Sequence, residues 1–211
     1  MPTQLCSCGK GWVNVRIDII IAGVGGQGII LIATVIGRAA MERGLHLKQS
    51  EVRGMAQRGG AVQTHLRLAD GVIHSDIIPQ GMAGLIIAME PMEALRYLPW
   101  LAADGWLVSN TTPVDTISNY PSIDHVAAEI RKIRRHVLFD ATAIACEKGS
   151  ARSVNMAMLG AATPFIGLPA DEVERAIEAH FIRKGAGVAA ANRAVFAAAY
   201  ALGEQARTQT R

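Results

Sequence analysis

Residues 19–40, IIIAGVGGQGIILIATVIGRAA, constrain this chain more than any other stretch. An apolar, β-branched run meets Gly23-Val24-Gly25-Gly26-Gln27-Gly28 and passes at once into apolar residues at helical spacing. This order of strand, glycine turn and helix opens a Rossmann-like unit. In such a unit the first glycine permits a tight turn, the second lets backbone approach a phosphate, and the third lets helix pack on strand. Residues 15–22 read as a central parallel strand buried on both faces. An anion seated where the helix begins would meet unpaired amides and the positive end of the helix dipole.

The pattern continues along the chain. A helix is expected from Gly28 to about Arg43, stopped by Gly44, then a strand over 46–52 and a half-buried antiparallel or edge strand over 61–68. Asp70-Gly71 reads as a hairpin turn into a strand over 72–77. Short strands follow at 84–88, 106–109 and 136–139, with a helix over 92–98 after Pro91, a polar loop over 110–122 and a helix entered through Asp140. The remainder reads as helices over 154–162, 171–183 and 188–207, with Asp171 and Glu174 as a capping box and Gly185 as a stop. The Ala-rich last helix is expected to dock on the sheet or on a partner. The expected fold is therefore α/β, a Rossmann-like doubly wound, mostly parallel sheet interrupted by one hairpin, with a helical C-terminal third. Residues 1–14 read as a loosely ordered lead-in and 15–207 as one domain.

Composition narrows the function. At 211 residues with half of them apolar and a mean hydropathy of +0.23, the chain can bury a core of its own and leans toward sheet-rich burial or a large subunit interface. A net charge of +3, dispersed along the chain, and 5% aromatic residues argue against nucleic-acid binding. No apolar run reaches the ~18–20 residues of a membrane span. Cys6, Cys8 and Cys146 have no framework spacing, and the first residues lack a secretory pattern, so a reducing cytoplasm is expected. Cys6 and Cys8 stand two apart rather than three, so no metal site is assigned to them.

Two glycine-rich segments are the candidate sites. The first is Gly23, Gly25, Gly26, Gln27 and Gly28, for a dinucleotide or another phosphate. Glu51, 23 residues after Gly28, stands near where a ribose-binding acid belongs, although its surroundings are loop-like. The second is Ser50, Glu51, Arg53, Gly54, Gln57, Arg58, Gly59 and Gly60. Its amides and guanidinium forks suit a phosphate or carboxylate, or else form an exposed connection. The six histidines (46, 65, 74, 125, 136 and 180) show no partner pattern, and no P-loop lysine, nucleophile elbow or four-cysteine cluster is present. No catalytic residue is assigned.

The blocks IIIAGVGGQGI, SEVRGMAQRGGAVQTHLRL and SVNMAMLGAATPFIGLP, in this order, resemble the pyruvate/2-ketoisovalerate ferredoxin oxidoreductase gamma-domain family, over about residues 15–205. The Met-Ala-Gln-Arg-Gly-Gly form at 55–60 points within it to the small subunit of the indolepyruvate (arylpyruvate) type. The resemblance implies a subunit that is inactive alone. Its large partner would carry thiamine diphosphate and iron–sulfur clusters, and the complex would convert a 2-oxoacid and coenzyme A to acyl-CoA while reducing ferredoxin. It implies that the second block faces the partner near the thiamine and coenzyme A site, with Arg53 and Arg58 supplying charge. A homodimer of the isolated chain fits its apolar surface. The alternatives are a free-standing nicotinamide- or flavin-binding redox protein and a nucleotide-binding regulator.

Overall fold

A computed structural model describes residues 16–54, 60–114, 119–148 and 150–210. Among them are six strands and seven α-helices. The strands β1 (Arg16–Val24), β2 (His46–Arg53), β3 (Ala61–Ala69), β4 (Ala83–Ala88), β5 (Leu101–Asn110) and β6 (His136–Phe139) form one sheet in the order β2-β3-β1-β4-β5-β6. β1, β4, β5 and β6 run parallel, and β3 is antiparallel to both β1 and β2.

Successive residues of β1 point to opposite faces, and both faces are covered. Ile19 and Ile21 join the core formed with α1 (Ile29–Glu42), α5 (Val154–Ala162), α6 (Ala170–Phe181) and α7 (Ala186–Gln209). Ile20 and Ala22 join Ile86, Ala94, Val126 and Ile130 under α2 (Pro91–Arg96) and α3 (Ile123–Arg131). The last strand leads through Asp140, whose carboxylate accepts from the Ala143 amide, into α4 (Ala141–Glu147). The fold is thus the doubly wound, mostly parallel α/β sheet expected, and α7 docks on α5. Gly160 and Gly203 allow that approach, since a Cβ at either would run into the backbone of Phe196 or Ala161.

Two expectations are corrected. The hairpin is not at Asp70-Gly71: residues 72–77 form no strand, and the hairpin is β2–β3. The reason is topological, because β3 already has β2 on one edge and β1 on the other and offers no ladder to a third segment. Asp171 does not cap α6, whose N-cap is Pro169; its carboxylate pairs with Arg175 at 2.6 Å. Helix α3, unassigned from sequence, forms because Val126, Ala127 and Ile130 make one buried face.

Denied a ladder, the segment after β3 is pinned by side chains. Arg67 grips Asp18 through two bonds, at 2.7 and 2.9 Å, and donates to the carbonyls of Ser75 and Ile77. The Ile78 amide donates to Nδ1 of buried His65 at 3.0 Å. Burial lowers the His65 pKa, with Arg67 adding to the shift and Asp76 opposing it. A folded-state pKa below the unfolded value gives stability that is fully present above about pH 6.5 and lost as pH falls through the folded pKa. Urea unfolding between pH 7.5 and 5 should therefore show the wild type losing stability relative to His65→Gln, by no more than the one-proton slope of about 1.4 kcal/mol per pH unit. Parallel curves for the two proteins would refute the assignment.

Candidate functional site

The chain leaves β1 at one end of the sheet and crosses to opposite sides of it afterwards, so a crevice opens beyond the carboxyl ends of β1, β4 and β5. Doubly wound folds place ligands at this position. It encloses about 440 Å³ and is lined by Gly26 and Gln27 of the glycine loop, Asn110 and Thr112 after β5, and Arg152 and Asn155 at the start of α5.

The loop is built from inside. Val24 donates its amide to Gln27 Oε1 at 2.7 Å, and Gln27 Nε2 reaches the Met89 carbonyl at 3.4 Å. Asn110 Nδ2 reaches the same carbonyl at 3.4 Å, while its Oδ1 accepts from the Ala141 amide at 3.0 Å. The ends of β1, β4 and β5 are thereby joined to α4. Gly23 is required by packing, since a Cβ there would lie 2.9 Å from Met89 Cβ and closer still to the Gln27 amide. Gly28 is required by backbone as well: it caps α1 at φ +78°, and a Cβ would strike the Asn155 side chain.

The two glycine-rich segments meet. The Gly25 amide donates to the Gly60 carbonyl at 3.0 Å, and Gly54 closes the base of the β2–β3 connection by donating to Ala61 at 2.9 Å. Gly25 therefore turns its N–H toward the second segment, and Gln27 returns its own to Val24. Ser50 and Glu51 lie within β2, paired with His65 and Thr64. Because β3 separates β2 from β1, Glu51 stands on a strand two places away, roughly 9–10 Å from β1 rather than adjacent to it. A ribose-binding acid belongs on the neighbouring strand, so this geometry gives the dinucleotide reading no support.

Residues 18–202 match the family described as pyruvate ferredoxin/flavodoxin oxidoreductase. The chain belongs to that family. Among pyruvate ferredoxin/flavodoxin oxidoreductase relatives, the indolepyruvate oxidoreductase subunit IorB of Methanothermobacter thermautotrophicus is 40% identical over 159 residues, covering 72% of this chain and 80% of the relative. The 2-oxoglutarate synthase subunit KorC of the same organism is 32% identical over 159 residues, covering 74% and 79%. The gamma subunit of a keto/oxoacid ferredoxin oxidoreductase from Geobacter sulfurreducens shares the fold, with a TM-score of 0.66 at 21% identity, covering 90% of this chain and 99% of that one. So does part of a 2-oxoglutarate:ferredoxin oxidoreductase from Magnetococcus marinus, solved with 2-oxoglutarate, coenzyme A and succinyl-CoA. There the TM-score is 0.71 at 20% identity, covering 90% of this chain and 31% of that one.

Within this family member, the structure brings Gly23, Gly25, Gly26, Gln27, Gly28, Gly54 and Gly60 to one end of the sheet, with the backbone of Arg53 ending β2 there. Gln57, Arg58 and Gly59 lie outside the described residues, as do Cys6 and Cys8. Among the described residues, no group of three or more His, Cys, Asp or Glu could hold a metal, and no helix is long and apolar enough to cross a membrane. Sequence reasoning missed Asn110, Thr112, Arg152 and Asn155. A signal was present for two of them: Asn110 ends an apolar strand, and Asn155 is a polar residue in the first turn of an otherwise apolar helix.

Proposed function

We propose that this chain is the small subunit of a thiamine diphosphate-dependent 2-oxoacid:ferredoxin oxidoreductase of the indolepyruvate type. It lends one wall of an active site whose thiamine diphosphate and iron–sulfur clusters are held by a large partner subunit, with ferredoxin reached through that partner. The observation that carries this reading is the bond between Gly25 and Gly60, which joins both glycine-rich segments beside the crevice. The indolepyruvate assignment is supported by the four IorB relatives at 34–40% identity. The cysteine usage supports a cytoplasmic setting.

Coenzyme A fits the crevice chemically. Gln27, Asn110, Thr112 and Asn155 offer amide and hydroxyl groups to a pantetheine chain, Arg152 offers a cation to phosphate, and nothing acidic lines the space. When bound, coenzyme A supplies the thiol that accepts the acyl group. The protein's part is to hold the chain extended and to keep water from the thiol end. Arg53 and Arg58 supply charge for a phosphate or for the 2-oxoacid carboxylate.

Co-expression with the large subunit tests this function. Indolepyruvate- and coenzyme A-dependent reduction of a viologen dye should appear only in the co-eluting pair, whereas full activity of the large subunit alone would overturn the reading. In the pair, Arg58→Ala should raise KM for coenzyme A or oxoacid about tenfold, as loss of a charge-assisted bond of ~1.5 kcal/mol implies. Unchanged kinetics would remove Arg58 from the site.

A further inference from the structure

A second cavity, of about 790 Å³, opens on the other side of Asn155, between the first turns of α5 and α7 and the outer face of α1. One wall is apolar, made by Leu31, Phe181 and Val188. The other carries Arg152 and Lys184, and no aspartate or glutamate lines the space. Both cations are exposed, and neither belongs to an ion pair among the described residues. The Lys184 ammonium lies 5.3 Å over the Phe181 ring instead.

The wall between these groups is polar and built. Ser153 and Asn192, 2% and 4% exposed, are joined by a 2.8 Å bond from the serine hydroxyl to Asn192 Oδ1, and Asn192 Nδ2 in turn donates to the Val188 carbonyl. Ser153 also meets the Ser150 hydroxyl, and it makes no side-chain cap for α5. Helix α7 begins at Gly185 with no side-chain cap and no acidic residue in its first turn. Two full positive charges and two helix N-termini therefore border one cavity, opposite an apolar wall.

We propose that this cavity binds a small organic phosphate, with its dianion between Arg152 and Lys184 and its organic part against Leu31, Phe181 and Val188. A dianion matches two cations backed by helix N-termini, and the apolar wall selects a phosphate carried on a carbon skeleton over a bare ion. The site adjoins the coenzyme A crevice and shares Ala151, Arg152 and Asn155 with it, whereas Lys184 and Phe181 line this cavity and not the crevice.

Calorimetric titration of the full-length chain with phenyl phosphate, inorganic phosphate and phenylpyruvate tests this. Phenyl phosphate should bind at least about tenfold more tightly than either of the others, a margin of ~1.4 kcal/mol. Lys184→Gln and Arg152→Gln, at exposed positions that leave the fold intact by circular dichroism, should each weaken it about fivefold or more. Equal binding of inorganic phosphate would mean an unspecific anion site, and tighter binding of phenylpyruvate would mean a carboxylate site. An effect of Arg152→Gln without one of Lys184→Gln would place the phosphate in the neighbouring crevice. Any of these three results overturns the proposal.

Discussion

Asp18→Ala is expected to destabilise the protein by about 3–5 kcal/mol, the cost of leaving a buried charge without its partner. Asp18 and Arg67 are 7% and 8% exposed, and both carboxylate oxygens accept from the guanidinium. Removing the carboxylate leaves the guanidinium in the same dry position, still tied to the Ser75 and Ile77 carbonyls and unable to turn outward without releasing them. The segment after β3 should loosen with it, so that Ile78, which is fully buried, gains exposure. Denaturant unfolding reads the stability, and amide exchange at Ile78 reads the local release. In the double variant Asp18→Leu with Arg67→Met, apolar packing replaces the pair, and about half or more of the loss should return. A loss below about 1 kcal/mol for Asp18→Ala, the range of a surface pair, would show that the pair is solvated.

Gly28→Val is expected to have the largest effect on the site. A β-branched residue at φ +78° carries about 1–3 kcal/mol of backbone strain, and its side chain must displace Asn155, at a further ~1–3 kcal/mol. Gly26→Ala separates the two causes: its φ is +100°, but nothing lies within 4 Å of the added Cβ, so it should cost only the backbone part. In the reconstituted pair, Gly28→Val should lower kcat/KM at least about tenfold, because Asn155, which it displaces, and the adjoining loop residues Gly26 and Gln27 border the crevice. Equal stability of the two variants would show that the contact with Asn155 does not constrain the loop. Wild-type kinetics in Gly28→Val would separate the crevice from the reaction.

Much of this protein is legible in local pattern. The strand-to-helix unit at 19–40, the Ala-rich last helix and the stop at Gly185, whose φ is +116°, depend on residues within a few positions of one another. The capping box at Asp171 failed for a related reason. A local signal competed with a proline two residues earlier that had already set the helix start, and it left the carboxylate to an ion pair. The glycine loop was found, but the reasons for its glycines were not. Gly23 answers to Met89 and Gly28 to Asn155, residues far along the chain.

A doubly wound α/β fold with two glycine-rich segments is written in local pattern, because periodicity and β-branched runs act over neighbouring residues. The entry of β3 between β1 and β2 is not written there. That one insertion moves Glu51 a strand away from β1, gives the hairpin to β2–β3, and leaves the segment after β3 to be held by Arg67 and His65. It also brings Gly60 to Gly25. Strand order is a contest among long-range pairings that no short window contains, and so the site it assembles becomes visible only once the chain is folded.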